Sequence, residues 1–284
     1  MPSLNSPAIQ PLFPTSYSSI MERVNAVNPI NYAKTRNFIT GDVTYLSAYI
    51  ARGFISVRQI KEAVLQKGYK PYEIEKFLQE LAWREYYQRV WQAKKEKIFA
   101  DLKQPQPDLL HHQIPSSIVN ASTGIQIIDD QINVFYTTGY LHNHIRMYLA
   151  AMVCNNAKSH WLTPAKWMYY HLLDGDLASN SCSWQWVAGS FSSKKYYCNQ
   201  ENINKYTRTN QEQTFLDHSY EHIANMPVPK ALEATSVLDL VTVLPLTAVP
   251  KLDTTKPTLL YNGYNVDPLW RANENVNRVL LLEP

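Results

Sequence analysis

At 284 residues, with 45% hydrophobic and 12% aromatic side chains, the chain can form one large domain or one domain with a small extension. Glycine is scarce at 8 residues, and neither G-x-G-x-x-G nor G-x-x-x-x-G-K-[ST] occurs, which removes the two standard phosphate loops. A net charge of +3 suits a polyanionic partner or an ordinary soluble enzyme equally, and three cysteines without C-x-x-C argue for a reducing, cytoplasmic setting rather than a disulfide framework or zinc ribbon.

Taken in chain order, residues 1–31 are rich in Pro, Ser and Asn and read as an arm, with one short helix near Tyr17–Val27. The opening has no apolar core of a signal peptide, and no run of about 18 apolar residues spans a membrane. Residues 32–225 read as helical. Leu46, Ile50 and Phe54 keep a four-residue spacing that Gly53 closes, and Ser56 caps a helix over Val57–Lys67 that Gly68 ends. Pro71 opens a run to Lys97 with Ile74, Phe77, Leu78 and Leu81 on its apolar face. A proline-bearing loop follows at 101–119, then helices at 123–137, 140–158, 163–173 and 176–188, a polar irregular stretch at 190–210, and a short helix over Gln211–Ala224. Residues 226–284 read as a proline-punctuated linker or extension, whose last run, Arg278–Glu283, has the texture of a strand in an α/β sheet.

Three constellations carry chemistry. In Glu80-Leu-Ala-Trp-Arg-Glu-Tyr-Tyr87, helical spacing puts Glu80, Trp83 and Arg84 on one face, either as a platform for a flat, polar ligand or as a half-buried Trp beside an intrahelical ion pair. In Thr138-Gly-Tyr-Leu-His-Asn-His-Ile-Arg-Met147, Asn143, Arg146 and Met147 share a face. His142 and His144, two apart, splay on a helix and suit capping and packing better than zinc. In Asp174-Gly-Asp-Leu-Ala-Ser-Asn-Ser-Cys-Ser-Trp-Gln-Trp186, the two carboxylates either accept hydrogen bonds from a heterocycle or cap a helix. His218 and His222, at i and i+4, lack a third metal ligand.

In this order and spacing the three segments resemble the flavin domain of the DNA photolyase/cryptochrome family, from about Tyr32 to Trp186 and more weakly to Ile223. The resemblance implies an all-α, multi-helical FAD-binding domain with an irregular C-terminal extension, and without the family's N-terminal antenna domain. It implies that Tyr32 and Val43, Thr44, Tyr45, Leu46 and Ser47 embrace the FAD diphosphate, although the family's T-S-x-L-S has lost a hydroxyl here. Phe77 joins the cofactor contacts, Arg84 and Arg146 neutralise phosphate and flavin charge, Asp174 and Asp176 bond the isoalloxazine and ribose region, and Asn180 lies beside flavin N5. Glu80, Trp83, Asn143, Met147 and Trp186 fall at positions that meet a flipped pyrimidine dimer, and Trp184 and Trp161 at two members of an electron-transfer chain. No Trp, Tyr or Phe lies between Phe99 and Phe135 to supply the third member, with Tyr169, Tyr170 and Trp167 as substitutes. The resemblance thus implies a lyase that repairs cyclobutane pyrimidine dimers in damaged DNA, with an antenna or other protein bound in trans. A flavin photoreceptor or interaction module without repair, and a helical scaffold that no longer holds FAD, are the alternatives. Lys194 and Lys195 are candidate phosphate contacts; Lys94, Lys95 and Lys97 suit a solvated face.

Overall fold

A computed structural model of the chain describes residues 12–245 and 251–282. The first eleven residues of the expected arm, and Glu283 of the expected strand, lie outside them. The architecture is all-α: among the described residues there are helices α1 (Tyr17–Ala26), α2 (Pro29–Thr35), α3 (Ser47–Ala51), α4 (Val57–Leu65), α5 (Glu75–Lys94), α6 (Ser116–Val119), α7 (Gln126–Thr138), α8 (Asn143–Ala151), α9 (Leu162–His171), α10 (Leu177–Ala188), α11 (Gln200–Thr207), α12 (Tyr220–Asn225) and α13 (Lys230–Glu233). Strands are short: β1 (Ile114–Pro115) pairs antiparallel with β2 (Thr235–Ser236), and β3 (Thr258–Tyr261) pairs in parallel with β4 (Asn277–Leu280).

The apolar residues gather in two large clusters. One, from α1 to the start of α5, buries Ile20, Val24, Ile60, Val64 and Phe77. The other, from α6 to α13, buries Ile128, Ile132, Phe135, Ile145, Trp161, Trp167 and Leu232. Burial of such side chains is worth about 1.5–3 kcal/mol each, so each cluster is a core in its own right. Helix α5 runs along their junction, with Phe77 as its one fully buried residue, Leu78, Leu81 and Val90 half-buried, and most of the rest polar or aromatic.

Local chemistry accounts for most boundaries. Ser56 and Gln59 form a capping box at α4. Gly139 ends α7 in the left-handed conformation, at φ 69°, and a Cβ there would press 3.1 Å from the Leu173 side chain. Its carbonyl accepts the Leu173 N–H at 2.8 Å, which ties the end of α7 to the loop before α10.

The structure departs from the sequence reading in several places: α2 begins inside the expected arm, and α6 falls in the loop expected at 101–119. The expected helix at 140–158 begins only at Asn143, and its last turn, Met152–Asn156, widens into a fully buried π-helix. There Asn155 Nδ2 donates to the Val187 and Tyr196 carbonyls instead of serving the helix. The stretch expected to be irregular contains α11. It has few apolar residues, and rests on the Asn199 cap and on one buried face formed by Gln200, Ile203 and Thr207. Of the helix expected over Gln211–Ala224, only Tyr220–Asn225 is helical, capped by Ser219. Residues 226–238 lie against the larger core, which Leu232 enters fully, and of the strand expected over Arg278–Glu283 only Arg278–Leu280 is extended within β4, which pairs with β3 alone instead of entering an α/β sheet.

Candidate active site

The three constellations converge where the two cores meet. Asp174, Gly175 and Asp176 form the short link between α9 and α10. Arg146, at the end of the first turn of α8, places Nη2 at 3.0 Å from both Asp174 oxygens, while its Nε–H donates to the Leu141 carbonyl at 2.8 Å. Arg84 of α5 places Nη2 2.8 Å from Asp176 Oδ2, and Gln88, one turn further along α5, donates to the same oxygen at 2.6 Å. The other oxygen of Asp176 accepts the Ser179 N–H and caps α10. Both readings of Asp176 therefore hold together: it is a helix cap, and it is half of an ion pair that crosses between helices.

Both carboxylates are buried, Asp174 to 8% and Asp176 to 4% exposure. An unpaired buried charge is expensive, and pairing with a hydrogen-bonding fork removes the penalty. At Asp174 burial pushes the carboxyl upward, but Arg146 and the Ser47 hydroxyl outweigh it and hold the group below the usual carboxylate range. The expectation that Arg84 and Arg146 are free to neutralise a ligand's charge is accordingly modified: each already faces a carboxylate of the chain.

Arg84, Asn143, Arg146, Met147, Asp174, Asp176, Asn180 and Trp184 line one hollow of about 100 Å³. Sequence reasoning missed Ala150, Met168, Leu172, Ser179, Ser183 and Val187, which complete its wall. Ser179 Oγ is buried without a hydrogen-bond partner, a polar atom held in reserve for a ligand. Asn180 is half-buried and turns its Nδ2 to the Ala165 carbonyl at 2.9 Å. Buried Trp184 supplies a flat wall. This donor set of two guanidinium–carboxylate pairs, a hydroxyl, an amide and an indole suits the polar rim and flat faces of a flavin. The hollow itself is smaller than the about 300–1,000 Å³ of small-molecule sites, so a dinucleotide must reach beyond it.

The other expected contacts stand around this centre. Ser47 stands near enough to Asp174 to help hold its carboxyl low. Thr44 accepts the Leu46 N–H. Tyr45 takes a positive φ of 52° and lays its ring 4.9 Å from Tyr140, a residue sequence reasoning did not single out. Tyr140 is so enclosed, beside Tyr45, Arg146 and Asp174, that burial raises its phenol far above the ordinary range. Tyr32 packs edge-on against Phe77 at 5.2 Å, and its phenol is pushed up to about 12 by burial and by the charge of Glu80. Val43 is half-buried, and Leu46 is buried at the start of α3.

On the solvent side, Asn143 is exposed at the start of α8 and Met147 is half-buried one turn on. Trp83 on α5 and Trp186 on α10 remain 49% and 43% exposed. Glu80 lies between Lys76 Nζ, at 2.9 Å, and Arg36 Nε, at 3.4 Å. The face expected to join Glu80, Trp83 and Arg84 thus splits: Arg84 turns inward to Asp176, and Glu80 and Trp83 stay near the surface. Trp161 is fully buried, donates Nε1–H to Asp101 Oδ1 at 2.7 Å and has the His160 ring at 5.6 Å. Of the substitutes for the missing aromatic, Trp167 is locked in the core beside Phe135, Tyr170 bonds the Val241 carbonyl, and Tyr169 bonds Tyr264.

His142 accepts the His144 N–H and caps α8, and His144 packs between Tyr148 and Tyr206. Burial holds both imidazoles neutral, lowered to about 4.

Comparison with known proteins places this arrangement. Residues 77–239 match the family model described as the FAD binding domain of DNA photolyase. The deoxyribodipyrimidine photo-lyase of Alkalihalophilus pseudofirmus is 31% identical over 168 residues, covering 55% of this chain and 34% of the relative. That of Buchnera aphidicola is 27% identical over 228 residues, covering 69% and 46%. The chain therefore spans between a third and a half of these relatives' length. In fold it is similar to a cryptochrome of Synechocystis (TM-score 0.60, 23% identity, 78% of this chain and 48% of that one). It is also similar to an archaeal photolyase of Sulfolobus tokodaii solved with two FAD molecules (TM-score 0.56, 20% identity, 81% and 54%).

Proposed function

The chain belongs to the family of FAD-binding domains of DNA photolyase, with FAD as its cofactor, and on that premise we propose that it repairs cyclobutane pyrimidine dimers in DNA under light. The observation that carries this reading is a hollow with a floor of two buried ion pairs and with an amide and a thioether, Asn143 and Met147, in its lining, while the two helices that supply Arg84 and Asn180 each carry an exposed indole, Trp83 on α5 and Trp186 on α10.

Bound FAD supplies one-electron donation on illumination, and the protein supplies geometry and exclusion of water. Arg146–Asp174 and Arg84–Asp176 present fixed donors and acceptors to a heterocycle, at little reorganisation cost because each pair is already formed. Asn180 offers an amide, which cannot titrate and so delivers no acid proton to its neighbour. The buried Ser179 hydroxyl gains the hydrogen bond it lacks.

A dimer must leave the base stack to reach such a hollow. Trp83 and Trp186 offer the flat faces on which an extruded pyrimidine pair stacks, Asn143 and Glu80 bond its edges, and Met147 fills the gap between them. Lys76 and Arg36 keep Glu80 near its position. Lys194 is a candidate contact to DNA phosphates. Lys195 is engaged with Asp108, so it contributes less.

The test is direct. The purified chain should copurify with FAD, and light but not darkness should remove dimers from a damaged oligonucleotide, with an affinity that weakens as salt rises. Glu80→Ala should reduce repair with FAD still bound; release of flavin by this substitution would overturn the assignment of Glu80 to the mouth. A second reading, a flavin photoreceptor without repair, is favoured by the aromatic path beyond Trp161, which continues into His160 and His112 rather than a third indole or phenol. It is distinguished by flavin photochemistry in a chain that leaves dimers intact.

A further inference from the structure

Residues 251–282 lie outside the stretch that matches the family model, yet they reach the Asp174–Asp176 loop from behind. Part of the long connection between β3 and β4, residues 262–267, is inserted against the end of α3. The Val266 N–H donates to the Arg52 carbonyl at 2.9 Å. The Arg52 guanidinium then forks: Nη1 donates to the Gly263 carbonyl and Nη2 to the Leu173 carbonyl, both at 3.2 Å. Leu173 is the residue immediately before Asp174. The fit is close, because Gly53 sits at φ +65° and a Cβ there would fall 2.3 Å from the Tyr264 carbonyl oxygen.

A second grip comes through Tyr264. Its hydroxyl is 2.5 Å from that of Tyr169, and its ring lies 6.1 Å from Trp91 of α5. Tyr169 in turn closes on Gly175: a Cβ on that glycine would meet the Tyr169 carbonyl at 3.2 Å and its ring at 3.3 Å. The three-residue loop is thus held on one side by Arg52 through Leu173, and on the other by Tyr169. Both holders are themselves held by residues 262–267.

We propose that residues 262–267 are a positioning element of the flavin site, acting through Arg52 and Tyr264 to set the backbone that carries Asp174 and Asp176. This rests on the reading that the loop bonds FAD. The physical reason is that binding groups must be held to a fraction of an ångström by a supporting shell. The loop has no regular secondary structure of its own to provide it. Tyr264, 37% exposed on a surface turn, is open to replacement without disturbing a core.

The experiment compares the full-length chain with Tyr264→Phe, Tyr264→Ala, Arg52→Lys, Arg52→Ala, Tyr169→Phe and the double Tyr169→Phe/Tyr264→Phe variant. Three quantities are read: the FAD dissociation constant, the circular dichroism of bound flavin, and the Tm of the FAD-free chain. Arg52→Ala should weaken FAD binding about tenfold and Tyr264→Phe about threefold, the scale expected for hydrogen bonds that act on a neighbour. Arg52→Lys, able to reach one carbonyl but not fork to two, should fall between wild type and Arg52→Ala. The double Phe variant should cost no more than either single one, since both remove the same bond. The flavin dichroism should change while the FAD-free Tm stays near wild type. Wild-type affinity and dichroism in both Arg52→Ala and Tyr264→Ala would overturn the proposal. So would FAD losses that merely follow a falling Tm with the dichroism unchanged. Failure of the wild-type chain to take up FAD would instead bring down the underlying reading of the loop, and this inference with it.

Discussion

The floor and the mouth of the site are built on opposite principles. On the floor, Asp174, Asp176, Arg84 and Arg146 meet each other at 2.8–3.0 Å and are largely withdrawn from water. At the mouth, Trp83 and Trp186 keep about half their surface in solvent, and Asn143 projects from the first turn of α8. Floor residues are determined by partners within the chain, so a change there touches the fold as well as the proposed cofactor contact. Mouth residues owe the fold little, and their exposure has no reason in packing. Large exposed aromatics on the helices that build a polar hollow are the pattern expected of an interaction surface.

The sharpest way to break the contrast is at the floor. Arg146→Ala leaves Asp174 buried and unpaired, and should cost about 3–5 kcal/mol of stability together with FAD retention, read by thermal unfolding and flavin absorbance. At the mouth, Trp83→Ala or Trp186→Ala should leave Tm and FAD content unchanged while weakening dimer-containing DNA by about 1–3 kcal/mol, the worth of one base stacked on an aromatic side chain. A loss of FAD in either Trp variant would erase the distinction. Asp176→Asn separates the two duties of one floor residue. Asparagine caps a helix as well as aspartate, so the chain should stay folded while the loss of charge opposite Arg84 weakens FAD. Asp176→Ala should add a capping loss of about 1 kcal/mol.

The smallest predicted effect concerns pH. His142 and His144, lowered from 6.5 to about 4, bind fewer protons folded than unfolded between those values. Stability is therefore fully present above about pH 6.5 and declines as pH falls towards 4. Asp174, held below its ordinary 3.8, extends the decline further into acid. Replacing both histidines with asparagine should flatten the upper part of this profile in a Tm series.

Much of the helical body was legible in the sequence because its signals are local. Ser56 with Gln59, Gly139 after α7 and Asp176 before α10 each act on a backbone a few residues away. Helix α11 was not legible, since two of the three residues on its buried face, Gln200 and Thr207, are polar, and only Ile203 gives an apolar signal to read. Likewise, i/i+4 spacing on α5 put Glu80, Trp83 and Arg84 together, and Gln88 beside Arg84 was there to be found by the same rule. Spacing could not say that Arg84 turns to a carboxylate 92 residues away while Glu80 turns to Arg36.

By itself, then, the amino-acid order determined the helices, their caps and the family-like motifs, because those depend on neighbours along the chain. Only the tertiary structure decided which arginine meets which aspartate, that Ser179 is left without a partner, and that residues 262–267 brace the loop between α9 and α10. Those outcomes depend on how two separately packed cores meet, and no local pattern encodes that junction.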